Sequence, residues 1–464
     1  MDDAGTEISG GSILVEDGTI AWVGTGDPPG SDGAERIDGR GTVALPGLVN
    51  THHHLYQTLT RVRAQGEGLF GWLTELYPVW AGVDEEWERA AAGVALAELA
   101  LSGCTTTTDH HYVFPRGASG LLEAEIDAAR TIGLRFHPCR GSMDLGASAG
   151  GLPPDEVVED PDDVLSRTEQ AVASFHDPAP GAMVRVAVGP CSPFSVTERL
   201  MRDSAELARR LGVRLHTHIA ETLDEEAYCR ERFGRTPLEL LDDLEFLGAD
   251  VWLAHCVHLA EKDVRRIAET GTGTAWCPTS NLRLGSGIAP ARALLDEGAT
   301  VGLGVDGSAS NDAGDMIAEV RQAVLTARAS GDPRAMSARD ALRVATRGSA
   351  ACLGRDDIGS LETGKRADVA LFSVEGLAFA GAESDPVAAV VQCGPQRVRH
   401  LLVDGAPVVR DGRLATADEE ELAAEGRRVA RRILAGGYGG VARPVRGSSG
   451  SSGERTPRPR RARA

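Results

Sequence analysis

Three consecutive histidines close an apolar segment, Gly47-Leu48-Val49-Asn50-Thr51-His52-His53-His54. In an extended chain residues i and i+2 point to the same side, so His52 and His54 can reach one ion while His53 points away. The same spacing returns in His216-Thr217-His218, followed by Glu221, and His255 and Asp306 each close a later apolar run. Three imidazoles and a carboxylate are an ordinary set for zinc or another divalent transition metal, with a position left for water. Each feature alone has a plainer explanation. A His-x-His pair can be hydrogen-bonded packing, a lone His255 can be a core residue, and Asp306 before Gly307 can be turn chemistry. Their recurrence at the ends of successive apolar strands is what points to a metal centre.

The elements that must position these residues alternate. Val184–Val188 precedes a helix over 197–211, Val213–His218 precedes one near 223–233, and the runs 251–255 and 300–306 continue the pattern. β-α repetition over roughly 300 residues suits a (β/α)₈ TIM barrel, an α/β fold whose chemistry sits at the C-terminal ends of the strands. Outside it, residues 11–24 read as two strands joined by an Asp-Gly turn, and 367–372 and 398–412 repeat that style. The expected organisation is a small split β-sandwich from both chain ends (1–46 with 358–440, including a terminal helix over 419–434), a catalytic barrel over 47–357, and a disordered Arg-rich tail over 441–464.

Composition narrows the function classes. The chain has 464 residues and a net charge of −20, yet residues 443–464 carry seven Arg and one Glu, which leaves −26 on the rest. So acidic a body is no nucleic-acid binder, and the Gly, Ser, Pro and Arg of the tail cannot form a core. No apolar run reaches the ~18 residues of a membrane span, and the acidic start Met1-Asp2-Asp3 lacks a signal peptide's basic n-region. Eight scattered cysteines without a CxxC suit reduced thiols, so a cytoplasmic enzyme is expected, with a homo-oligomer a possible assembly.

In order, Leu45-Pro46-Gly47-Leu48-Val49-Asn50-Thr51-His52-His53-His54, His216-Thr217-His218-Ile219-Ala220-Glu221, Ala254-His255-Cys256 and Gly304-Val305-Asp306-Gly307-Ser308 resemble the motifs of the amidohydrolase superfamily. The resemblance spans about residues 8–435. It implies one divalent metal per chain, zinc by default and Fe²⁺ as the alternative, held by His52, His54, His218 and Asp306. It also implies catalytic roles for Glu221, His255 and Asp306. The His-x-x-Glu form without a bridging lysine resembles the mononuclear aminohydrolase branch. There, His54–Arg61, Leu69–Thr74, Arg140–Met143, Gly189–Ser195 and Asn281–Pro290 most resemble bacterial 8-oxoguanine deaminases, with triazine hydrolases next. The chain begins about one strand later than such relatives do. Trp276-Cys277-Pro278 also stands where the resemblance leads to His-Cys-Pro, which alters the expected far wall of the pocket.

The implied reaction is hydrolytic deamination of an oxidised purine, 8-oxoguanine and water giving urate and ammonia. An s-triazine, or a pyrimidine such as isocytosine, is the alternative substrate. Such chemistry needs a nucleophilic hydroxide and an acid for the ring nitrogen. Glu221 would protonate the ring, Asp306 would take the water's proton, and His255 would stabilise the tetrahedral intermediate. Gln57, Trp72 and Tyr112 are the candidate substrate-binding residues for this small nucleobase-like partner, Gln57 first because it lies three residues beyond His54.

Overall fold

The computed structural model describes residue 2, residues 4–394 and residues 396–436; the Arg-rich tail lies outside the described residues. Fifteen strands are present among them: β1 Gly11–Glu16, β2 Thr19–Thr25, β3 Thr42–Pro46, β4 Leu48–Asn50, β5 Cys104–His111, β6 Arg135–Ser142, β7 Ala187–Pro190, β8 Leu215–Ile219, β9 Val251–His255, β10 Gly273–Trp276, β11 Val301–Leu303, β12 Val369–Ser373, β13 His400–Val403, β14 Ala406–Arg410 and β15 Arg413–Leu414. Strands β4 to β11 pair in parallel and close on themselves, β11 returning to β4 through Leu303 and Asn50. With helices between them, they form the (β/α)₈ barrel. Every residue of these eight strands is buried.

Turn chemistry explains the outer sheets. The turns Asp17-Gly18, Asp404-Gly405 and Asp411-Gly412 each have both residues at positive φ, between 46° and 79°. That is the type I′ geometry whose twist matches a tight hairpin. The first joins β1 to β2, the second β13 to β14, and the third β14 to β15. Strand β3 from the start of the chain pairs antiparallel with β12 from its far end, from Pro46 against Val369 to Thr42 against Ser373. The resulting five-stranded sheet, ordered β15-β14-β13-β12-β3, is thus closed by both chain ends.

One residue, Gly47, carries the chain from that sheet into the barrel. A Cβ there would stand 2.1 Å from Thr105 Oγ1, so the close approach of β5 admits only glycine. On the barrel's β6, the fully buried Arg135 reaches across to Asp368 at 2.8 Å and Asp404 at 2.6 Å, fixing sheet to barrel. The terminal helix Glu419–Ala435 buries Val429 and Ile433, and Arg432 pairs with Asp84 ahead of helix Glu85–Leu101. Among the described residues no helix is long and apolar enough to cross a membrane, and all eight cysteines are free.

Candidate active site

The barrel's C-terminal rim gathers the histidines and carboxylates from four strands. His52 and His54 follow β4, His218 lies in β8, His255 ends β9, and Asp306 follows β11. The apolar run 300–306 is a strand only as far as Leu303. Beyond it the backbone turns so that Asp306 adopts φ 65°, and Ala220, His255 and Cys256 are likewise left-handed at 51°, 71° and 51°. Such conformations are unfavourable for residues with a Cβ, and here they turn functional side chains over the barrel mouth. Asn50 braces the two sides: its amide donates to Thr107 Oγ1 at 3.0 Å and its carbonyl accepts from Val305 N at 2.9 Å.

Hydrogen bonding fixes which nitrogen of each ring is bare. His54 Nδ1 faces the His110 carbonyl at 2.8 Å and His218 Nδ1 the Cys191 carbonyl at 2.7 Å. A carbonyl only accepts, so both Nδ1 atoms carry hydrogen and both Nε2 atoms present lone pairs. His216 donates from Nδ1 to the Trp252 carbonyl, so its Nε2 accepts from His52 Nδ1 at 2.8 Å, leaving His52 Nε2 bare as well. Yet His54 Nε2 and His218 Nε2 stand 3.1 Å apart, and Asp306 Oδ1 lies 3.3 Å from His54 Nε2 and 3.5 Å from His52 Nε2. Four electron pairs converging in a buried site repel one another unless a cation sits between them. Ligands about 2.1 Å from a tetrahedral zinc are about 3.4 Å from one another, close to the separations seen. The donor set therefore fits a divalent metal. His216, unlike His218, acts behind His52 and holds its ring in the required tautomer.

Electrostatics sorts the remaining groups. Burial, then the mutual proximity of the rings, holds His52 well below the usual imidazole range, and burial leads in lowering His54 to about 3. Burial pushes Asp306 up, but His255, His54 and the hydroxyl of Ser280 outweigh it and hold the carboxyl at about 2. Its Oδ2 accepts from Ser280 at 2.6 Å and Ser310 at 3.1 Å. Glu221 is the opposite case. Burial first, then the charges of Asp306 and Glu225, push it well above the usual carboxylate range, which favours its acid form. Glu225 accepts from the backbone N–H of Ala220 and Glu221 at 2.9 and 2.8 Å and so anchors the segment that carries Glu221. His255 is held neutral at about 4, chiefly by burial. Its Nδ1 accepts from Asn281 Nδ2 at 3.0 Å, leaving Nε2–H directed between Glu221, 3.5 Å away, and Asp306, 4.0 Å away.

A cavity of about 360 Å³ opens onto these groups, and Gln57, Trp72 and Tyr112 all line it beside Glu221, His255 and Asp306. The carbonyl oxygen of buried Gln57 has no hydrogen-bond donor, and a Cβ on Gly307 would lie 2.0 Å from it, so glycine at 307 makes room for this amide. Trp72 spends its indole N–H on the Ala309 carbonyl at 3.1 Å and offers the pocket its ring. Trp276 is buried on β10 and is not part of the pocket wall. Nothing in the sequence marks His110, which stacks on His218 with ring centroids 4.8 Å apart, or assigns a role to Asn281, Glu225 and the two serines on Asp306. The whole of β5 was missed because Thr105-Thr106-Thr107-Thr108 is polar; its β-branched run was the available signal.

The chain belongs to the amidohydrolase family, whose model matches residues 43–408. As a member it is a hydrolase acting on carbon–nitrogen bonds. It is 48% identical over 92% of its length to an 8-oxoguanine deaminase of Pseudomonas aeruginosa, of which the match covers 95%. It is 38% identical over 94% of its length to a hydroxydechloroatrazine ethylaminohydrolase of Pseudomonas sp. strain ADP, again covering 94% of that protein. Among solved structures it resembles the zinc complex of an atrazine chlorohydrolase from Arthrobacter aurescens TC1, with a TM-score of 0.89 at 36% identity over 92% of this chain and 97% of that one.

Proposed function

We propose that this protein is a metal-dependent deaminase that converts 8-oxoguanine and water to urate and ammonia. The observation that carries the reaction type is the convergence of three bare Nε2 atoms and Asp306 beside Glu221, a carboxyl whose pKa burial raises. His52, His54, His218 and Asp306 would hold one divalent ion. Such an ion lowers the pKa of water from ~15.7 toward ~7–9, making hydroxide available at neutral pH.

The protein's own groups then divide the proton traffic. Asp306, a strong carboxylate with its second oxygen held by Ser280 and Ser310, receives the proton given up by water. Glu221 delivers its proton to the ring nitrogen next to the amino-bearing carbon, so the ring can accept the electron pair as the carbon becomes tetrahedral. His255, neutral and with Nε2–H fixed by Asn281, donates a hydrogen bond to the added hydroxyl. Transfer of the Asp306 proton to the amino nitrogen lets ammonia leave, and the added hydroxyl gives its own proton back to Glu221 as it becomes the ring carbonyl. Gln57, Trp72 and Tyr112 would hold the ring by its edge and faces.

The substrate reading rests on the 48% identity to an 8-oxoguanine deaminase. The similarity to triazine-processing enzymes supports a hydroxylated s-triazine as the second reading. The test is ammonia release from 8-oxoguanine, guanine, isocytosine and a hydroxytriazine before and after chelation. Activity that survives removal of all metal would sink the mechanism.

A further inference from the structure

Outside the barrel wall, a second cluster of ligand-type side chains is closed off from solvent. Glu88 on helix Glu85–Leu101, His111 at the end of β5 and Glu125 on helix Leu121–Ile132 are each fully buried. His111 Nδ1 stands 2.9 Å from Glu125 Oε1 and 3.6 Å from Glu88 Oε2. The other ring nitrogen, Nε2, faces the Val113 carbonyl at 2.9 Å and must carry the hydrogen, so neutral His111 turns a lone pair toward two carboxyl groups. Among the described residues no N–H or hydroxyl group donates to any of the four carboxyl oxygens of Glu88 and Glu125, and beyond His111 the side chain of Glu125 meets the Asp109 carboxyl. Buried groups of this kind need compensating charge or donors.

A single proton between His111 and Glu125 would satisfy those two atoms and leave Glu88 with both oxygens bare. A divalent cation would answer all three residues together. Bonds of about 2.1 Å in tetrahedral geometry place ligand atoms about 3.4 Å apart, between the two separations observed. We propose that Glu88, His111 and Glu125 form a second divalent-cation site, structural and separate from the catalytic centre. An imidazole nitrogen among the ligands favours Zn²⁺ or Mn²⁺ over Ca²⁺ or Mg²⁺. Asp109, on the same face of β5 as His111, adds a carboxyl beside Glu125, and its Oδ1 accepts the Leu55 N–H at 2.5 Å. One proton shared by Asp109 and Glu125 would balance the remaining charge. The ion would then join two helices to β5 and, through Asp109, to the turn that begins directly after His54.

Enclosure on all sides means the ion would enter as the chain folds and exchange slowly with solvent. Elemental analysis of the purified holoenzyme should find two divalent ions per chain, and one after native-state chelation has abolished activity. The survivor should appear only when the protein is unfolded in denaturant with a chromogenic chelator. Glu88→Gln and His111→Ala should each lose one ion, whereas His218→Ala should lose the other. The chelation series on the unmodified protein needs no variant to fold. Wild-type protein that holds one ion and loses it fully under native chelation would overturn the second site and leave the catalytic proposal standing.

Discussion

At the scale of single residues, the proposed mechanism divides the site into groups that would hold the ion and groups that would move protons, and substitution should separate them. Glu221→Gln keeps size and shape but has no proton to give. General acid–base catalysis is worth ~10²–10⁴-fold, so kcat should fall at least about 100-fold while metal content stays at the wild-type value. His218→Ala removes a bare Nε2 from the centre and should lose both ion and activity. Metal analysis beside kcat for the two proteins distinguishes the roles, and a metal-depleted Glu221→Gln would make Glu221 a ligand. Asn281→Ala frees the His255 ring from its one side-chain donor. With one hydrogen bond worth about 1 kcal/mol, kcat should drop by about fivefold to tenfold with metal retained. An unchanged kcat would remove Asn281 from the machinery. The ligand-type histidines were legible because i and i+2 spacing is a strict property of extended chain. Asn281 and Ser280 were not, since a short polar helix carries no periodic signal that aims a side chain at a ring from another strand.

Elements decide how precisely those residues meet. Strand-end residues in left-handed conformation and the glycines at close approaches are local features that hydropathy does not encode, which is why the run 300–306 read as strand beyond Leu303. Gly307 is the sharpest case in the pocket. Its φ is ordinary for any residue, but a Cβ there would collide with the Gln57 amide. Because that amide is the far end of a flexible side chain, Gly307→Ala should fold and push Gln57 aside. KM should rise about fivefold with little change in melting temperature, as expected when one substrate hydrogen bond of about 1 kcal/mol is lost. Wild-type KM in this variant would take Gln57 out of substrate binding. By contrast, the Asp-Gly turns were readable from sequence, since few other dipeptides take two successive positive φ values easily.

For the whole molecule, matching strand style at both chain ends pointed to one shared sheet, but the strands read at 11–24 pair only with each other, and β3, which has no such style, is the N-terminal strand that joins β12. The Arg135–Asp368–Asp404 bridge that fixes sheet to barrel had no sequence signal either. Long-range ion pairs leave no trace in local pattern. Several carboxyls are buried, and this gives stability a pH dependence. Burial raises Glu319 to about 7, against which hydrogen bonds from Thr279 and Asn311 act. An unfolded glutamate releases its proton near 4.5 while the folded chain keeps this one up to about pH 7, so this group's contribution to stability falls as pH rises through that window. Glu319→Gln, whatever its constant offset, should gain on wild type by up to about 3 kcal/mol between pH 4.5 and 7.5 in urea denaturation. Parallel pH profiles would show that Glu319 is ionised throughout. Substrate choice also belongs to this scale, because guanine and 8-oxoguanine differ at C8, remote from the reacting C2. A site built around a hydrogen bond can reject the analogue lacking its partner by up to ~10⁴–10⁵. The most direct measurement is therefore kcat/KM for ammonia release from 8-oxoguanine, guanine and a hydroxytriazine by the metal-loaded enzyme, with the purine product identified. The proposed reaction predicts urate and ammonia in equal amounts and a clear preference for 8-oxoguanine; a hydroxytriazine turned over better by orders of magnitude would contradict it.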